Sequence, residues 1–456
     1  MSKTHEHWAS RIGFLMATAG SAIGLGSLWK FPYMTGTNGG GAFLLLYVIF
    51  TFSIGLPVFI ADLAIGRKAQ RSSILAFTEL SGGSQNWRIL GWLNVLTSLL
   101  ILTVYCVVAG WSLSYTLMSL NQFTTGKSAA EISATFDTLF RAPGINIFWF
   151  TIYLLANLGI VIGGVRKGIE YWSKVLMPAL FIILIGLFIY ATTLPGFGQA
   201  VEFLFIPRWD KLSSNGILNA LGMAFFTLSV GFGIIITYGS YMQKEVDIPK
   251  NGALIAFMTV LASIIAALTI FPVVFSFGLP AEEGPGLLFK TLPVLFAKLP
   301  ASLLISTIFF SLVFFAAITS SISLLEVLVA NIMEVFAITR KQAVYSMSLI
   351  TFVVGIPSAL SGSKLIFPSW QAVYGKSFLD TIDYLVSSWM APFACLFVTL
   401  FVGWNYSKQL ILAEFRSGTT SGWLALPWYY SIKYLASISV IIIILQQAGL
   451  LALLIK

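Results

Sequence analysis

Two clusters of small residues interrupt stretches that are otherwise apolar: Gly20-Ser21-Ala22-Ile23-Gly24-Leu25-Gly26-Ser27 and Thr227-Leu228-Ser229-Val230-Gly231-Phe232-Gly233. Glycine weakens a helix interior by about 1 kcal/mol per residue, so each cluster disfavours continuous helix. An unwound break exposes free N–H and C=O groups and two half-helix ends. The positive ends attract carboxylates, and the free carbonyls bind cations or ammonium groups. One such cluster alone reads equally as close helix packing through small residues. A third feature is the hydroxyl run Thr319, Ser320 and Ser321 after Ala316-Ala317-Ile318. Hard cations prefer oxygen ligands, and a Ser or Thr in a helix otherwise bonds back to its own backbone.

A few charges fall within apolar surroundings: Lys30, Asp62, Glu326, Glu334, Asp380 and Asp383. Burying an ionisable group unpaired is costly, so each calls for a partner unless it reaches the membrane surface. The two histidines, His5 and His7, lie at the N-terminus, which argues against histidine-built zinc chemistry. Cys106 and Cys395 sit in apolar runs and make neither a disulfide framework nor a metal spacing.

The elements that must carry these residues are membrane helices. The chain has 456 residues, 58% hydrophobic and only 9% charged. Ordinary globular domains carry about 25% charged residues, which argues against a soluble enzyme, a disordered protein and a nucleic-acid binder. A spanning helix needs about 20 mostly apolar residues. Eleven segments qualify, near 10–36, 41–66, 88–121, 145–164, 171–193, 215–241, 250–278, 301–335, 342–360, 380–405 and 427–452. The longest polar connections are 67–87, 122–144, 194–214, 279–300 and 361–379. With the N-terminus inside, 15 of the 26 basic residues fall on inside loops. That bias places the N-terminus in the cytoplasm, and eleven crossings put the C-terminus outside. The net charge of +9 then reflects topology in a multi-pass protein of the plasma membrane. No cleaved signal peptide is evident.

The two breaks fall in segments one and six, at matching places in two sets of five helices. That is the pattern expected of an inverted-repeat transporter. The expected fold is an all-α polytopic membrane protein with a 5+5 repeat and unwound helices 1 and 6. Residues 1–193 form the first repeat, 194–405 the second, and 406–456 a peripheral eleventh helix.

Specific stretches carry a resemblance. AGSAIGLGSLWKFPY and NGGGAF between Trp8 and Phe43, Gly55 to Arg67 in segment two, VAGW at 108–111, FFTLSVGFG at 225–233, AAITSS at 316–321 and FLDTIDY at 378–384 resemble the neurotransmitter:sodium symporter family. The similarity covers nearly the whole chain. It implies a substrate midway across the membrane, between the two breaks. The backbone at Ala22, Leu25 and Gly26 matches the part that holds an amino acid's amine and carboxylate. Tyr105 matches a carboxylate contact; Phe226, Thr227 and Ser229 match amine contacts. Ile101, Phe226, Phe232, Ser320 and Leu324 match the side-chain pocket. Gly24 stands where amine-carrying members place an aspartate, which implies a substrate that brings its own carboxylate.

The resemblance also implies Na+ as the coupling ion, with at least one site. The second sodium site is matched in full, by the carbonyls of Gly20, Ile23 and Ala316 and the hydroxyls of Thr319 and Ser320. The first is matched only in part: Ala22 and Thr227 remain, but Ser27 and Thr259 stand where the family usually has amides or carboxylates. The chloride pattern is also partial, with Tyr47 and Ser263 present and Met223 in place of glutamine, so chloride dependence stays open. The outer gate would pair Lys30 with Asp383, a point-charge bridge where the family usually has arginine. The inner gate would set His5 opposite Glu334, with Trp8 and Tyr241 nearby.

The expected function is sodium-coupled symport of a small, neutral hydrophobic amino acid by alternating access. The expected partners are that substrate and the bilayer, with no nucleic acid; the chain is expected to be a monomer or a weak homo-oligomer. A binding or sensing protein of the same fold, with weak, proton-coupled or sodium-independent transport, is the alternative. An enzyme is disfavoured by the lack of a nucleophile–base pair, metal cluster or nucleotide motif. A channel is disfavoured by the lack of a charged ring or filter sequence.

Overall fold

The computed structural model describes residues 6–277, 286–363 and 365–451. These residues are almost entirely helical, with one isolated bridge between Gly40 and Pro207. In chain order the helices are α1 (Arg11–Ala22), α2 (Gly26–Thr37), α3 (Gly41–Ala69), α4 (Ser73–Leu80), α5 (Gln85–Leu120), α6 (Ala129–Arg141) and α7 (Pro143–Val161). There follow α8 (Val165–Ala191), α9 (Phe197–Phe205), α10 (Ser214–Thr227), α11 (Ile234–Ser240), α12 (Ile248–Phe277) and α13 (Leu287–Ala297). The remainder are α14 (Ser302–Phe336), α15 (Arg340–Ala359), α16 (Trp370–Tyr374), α17 (Phe378–Asn405), α18 (Lys408–Arg416) and α19 (Gly422–Gln447).

Among the described residues, nine helices are long and apolar enough to cross a membrane. A tenth span is the pair α1 and α2, bent by 48° at the first glycine cluster. Helices α10 and α11 flank the second cluster, and counting them as one interrupted span gives eleven. Both breaks therefore lie where the small-residue clusters are. The second is held open by left-handed backbone at Ser229 (φ 55°), Gly231 (φ 86°) and Gly233 (φ 72°). A Cβ on Gly231 would stand 2.5 Å from the Ala391 carbonyl oxygen of α17.

Side-chain caps start several helices. Ser10 accepts from the Gly13 N–H at the head of α1, and Ser213 accepts from Gly216 N–H at the head of α10. Ser128 with Glu131, and Thr339 with Gln342, form reciprocal capping boxes that begin α6 and α15. Each satisfies amide donors that a helix start leaves free.

The stretch 279–300, read from sequence as a polar connection, contains the apolar helix α13. Its Leu288, Phe289, Leu292 and Leu295 are fully buried. Phe289 stacks on Phe136 of α6 and Phe310 of α14, so burial outweighs the polar flanks of the segment. The two longest helices, α5 and α14, pack along each other and form the wall against which the breaks are set.

Candidate functional site

Both breaks meet at α14. Ser320 Oγ is placed to donate to the carbonyl oxygens of Gly20 and Ser21, 3.0 Å from each. Ser229, in the second break, donates to the same Ser21 carbonyl at 3.0 Å. Ser98 of α5 donates to the carbonyl of Phe232. Backbone acceptors freed by unwinding are thus satisfied by hydroxyls from neighbouring elements, as buried backbone requires.

Between these contacts lies a cleft lined by Ile101, Tyr105, Phe226, Phe232, Ser320 and Leu324, with Ser21, Ser229 and Ile234 completing it. Seven of the nine lining residues, including Ser229, were read from sequence as substrate contacts; Ser21 and Ile234 were not. Ser21 was missed because its side chain belongs to a cluster read for its backbone. The cleft encloses about 20 Å³, room for a water or two. No charged side chain lines it. Ala22, Leu25, Gly26 and Thr227 are buried beside it without lining it. A Cβ on Gly24 would stand 2.2 Å from Ser320 Oγ, and one on Gly26 would stand 2.7 Å from the Phe226 ring.

A larger chamber of about 320 Å³ lies next to the cleft, lined among others by Lys30, Asn215, Asn219, Phe226 and Gln446. Phe226 lines both spaces. Its ring meets Phe232 edge-on at 5.9 Å. Lys30 Nζ stands 4.2 Å from the Phe226 ring centre, 3.5 Å from Asp383 and 3.1 Å from Ser387 Oγ. Ser387 also donates to Asp383 at 3.2 Å. Asp380, the other acid at this end, caps the start of α17 through Ser377.

Of the residues assigned to a second sodium site, Gly20, Ala316, Thr319 and Ser320 fall together where α1 meets α14. Thr319 Oγ1 lies 3.1 Å from the carbonyls of Phe315 and Ala316. A Cβ on Gly20 would stand 3.0 Å from the Thr319 Cβ, a close approach of α1 to α14. The donors are neutral oxygens, buried and drawn from two helices, a set that fits a hard monovalent cation. Thr18 Oγ1 of α1 is buried without a hydrogen-bond partner. The residues assigned to the first site are engaged differently. Ser27 donates to the Ala22 carbonyl at 3.3 Å. Thr227 donates to Met223 O and accepts from Tyr47, while Thr259 bonds back to Ile255. Tyr47 also lies 3.4 Å from Ser263 Oγ.

At the opposite end, Trp8 packs against the C-terminal end of α11, away from the break. Its indole N–H donates to Tyr238 O at 3.0 Å, and its backbone N–H to Tyr241 O at 3.2 Å. Tyr241 donates to Glu326 at 2.7 Å. Glu326 is fully buried and paired with Arg340, which also reaches Glu6 at 3.4 Å. The demand for a Glu326 partner was visible in the sequence; its identity was not, because Arg340 reads as a loop charge. The structure attaches Glu334 to Ser72, through Ser72 N at 3.0 Å and Oγ at 2.7 Å. His5 lies outside the described residues. Asp62 is buried, with Oδ1 lacking a hydrogen-bond partner.

Comparison with known proteins gives a consistent answer. A family model described as the sodium:neurotransmitter symporter family matches residues 5–138 and 127–452. An uncharacterized sodium-dependent transporter of Bacillus subtilis, YhdH, is 39% identical over 446 residues, covering 98% of each chain. Human sodium- and chloride-dependent GABA transporter 2 is 26% identical over 458 residues, covering 88% of this chain and 73% of its own. The crystal structure of MhsT in complex with L-phenylalanine superposes with a TM-score of 0.88 at 38% identity, covering 96% of this chain and 99% of that one. This chain is a transporter, not an enzyme, and belongs to the sodium:neurotransmitter symporter family.

Proposed function

We propose that the chain is a sodium-coupled symporter of a neutral, hydrophobic amino acid, working by alternating access. The observation that carries this reading is the cleft between the two breaks: uncharged, walled by Ile101, Phe226, Phe232 and Leu324, with Tyr105 and unwound backbone as its polar partners. Half-helix ends supply the field for a carboxylate and an ammonium group. The tight fit at Gly24 leaves no room for an acidic side chain and favours a substrate with its own carboxylate. The complex of the similar MhsT with L-phenylalanine supports a bulky apolar side chain.

Sodium would be held by the carbonyls of Gly20, Ile23 and Ala316 and the hydroxyls of Thr319 and Ser320. There it supplies positive charge in a region without any, tying α1 to α14. The first site contributes through Ala22, Ser27, Thr227 and Thr259 only in part. Residues 1–193 and 194–405 act as two inverted five-helix repeats, and 406–456 as a peripheral helix. The N-terminus faces the cytoplasm and the C-terminus the outside of the plasma membrane, in keeping with the bias of basic residues. Lys30, Asp383, Phe226 and Phe232 close the outer side; Trp8, Tyr241, Glu326 and Arg340 close the inner side. Coupling arises because sodium and substrate favour the state in which both breaks are clasped to α14.

Uptake into proteoliposomes under an inward sodium gradient tests this. Accumulation of a neutral apolar amino acid is expected, and its loss when potassium replaces sodium. Equal uptake in both salts overturns sodium coupling. Unchanged sodium dependence in T319A/S320A overturns the ion-site assignment.

A further inference from the structure

The face that carries Trp8 also carries α18, joined to α3 by the buried Arg67–Glu414 pair and to Lys244 O by Ser417. On this face a second cluster lies apart from the cleft. Lys408 Nζ is 3.0 Å from the Tyr430 hydroxyl and 4.7 Å from that ring's centre. Lys433 Nζ stands 4.3 Å over the Trp404 ring. Tyr430 and Tyr434 stack at 6.2 Å, and Trp404 meets Tyr434 edge-on at 5.9 Å. The five side chains therefore form one continuous strip.

Two features separate this strip from an ordinary belt of interfacial aromatics. Among the described residues neither lysine forms an ion pair, and whereas Lys298 and Lys376 each lie over a single ring, these two lysines share one connected set of three rings. The nearby acid, Glu414, is already bound by Arg67. The lysines are also held in place rather than free to reach into water, one by a hydroxyl and both by ring faces. Each ammonium has three donors, and the rings use none of them as a carboxylate would. Trp404, Tyr430 and Tyr434 are about half exposed, and Leu435 and Ile438 continue the exposed apolar surface along α19. The strip lies where α17 ends, against the first half of α19.

We infer that Lys408 and Lys433, framed by Trp404, Tyr430 and Tyr434, bind the headgroup of an anionic phospholipid whose acyl chain runs along Leu435 and Ile438. The charge of the two unpaired lysines selects a net negative headgroup, and the apolar surface beyond them selects a lipid over a soluble anion.

The test uses the full chain in detergent, titrated with phosphatidylglycerol, phosphatidylcholine or inorganic phosphate, and read by native mass spectrometry and melting temperature. A basic residue near an anionic surface contributes about five-fold in affinity, so K408Q/K433Q is expected to lose roughly 25-fold in preference for phosphatidylglycerol. K408R/K433R keeps most of that preference. Lys127→Gln, on an exposed loop after α5, leaves it unchanged. Unchanged preference in K408Q/K433Q overturns the inference. So does an equal loss in Lys127→Gln, which would report net charge alone, or an equal stabilisation by inorganic phosphate.

Discussion

At Gly24 the question is one of volume. A Cβ there would overlap Ser320 Oγ at 2.2 Å and approach the Tyr105 hydroxyl at 3.3 Å. Ser320 is also the residue that clasps the first break, so it cannot yield without releasing Gly20 and Ser21. Gly24→Asp is therefore expected to abolish amino-acid binding, measured as loss of the ligand-induced rise in melting temperature. Retained binding would show that the break has slack that these distances exclude. A second residue-scale case is Arg340. Removing one member of a buried ion pair costs about 3–5 kcal/mol because the remaining charge is stranded. Arg340→Ala should lower the melting temperature strongly, and Arg340→Gln combined with Glu326→Gln should recover much of the loss, as both charges then disappear together.

At the scale of elements, the second break is set by chirality and proximity together. Gly231 combines a φ of 86° with a 2.5 Å approach to the Ala391 carbonyl. Gly231→Ala faces both left-handed strain and a collision with backbone of α17. Strain of this kind costs about 1–3 kcal/mol, so a lower melting temperature and weaker substrate binding are expected together. Loss of stability with unchanged affinity would mean that the break can be displaced without disturbing the cleft. Much of this element was legible in advance, because a glycine cluster in an apolar run names its own interruption. Seven lining residues of the cleft were legible too, through their place beside the breaks and the family resemblance. What stayed hidden depended on packing at long range. Ser21 serves through a side chain that its neighbours made look incidental. Arg340 reads as a solvated loop charge until α15 is folded under Glu326. The helix α13 reads as part of a polar connection because its own run is too short to span, although aromatic stacking buries it.

For the whole molecule, the balance between the two faces matters most. On one side Lys30, Asp383 and the Phe226–Phe232 pair form a thin layer between the 320 Å³ chamber and the cleft. On the other, Trp8 ties the N-terminal segment to α11 by two hydrogen bonds and meets the rings of Phe14, Tyr238 and Tyr241. The side with more buried contact holds, and the thinner side yields first. Trp8→Ala removes an indole hydrogen bond and a large buried ring, a change of about 3–5 kcal/mol where the site cannot collapse. That is enough to move a two-state equilibrium far toward opening at the Trp8 face. Two readouts should move together. Backbone amides of α1 should exchange hydrogen faster, since the anchor at the head of that helix is gone. Apparent affinity for substrate supplied from the chamber side should fall in proportion to the lost fraction of chamber-facing molecules. Faster exchange with unchanged affinity would restrict Trp8 to local packing. Unchanged exchange with unchanged affinity would show that Arg340, Glu326 and Tyr241 hold this face closed without it.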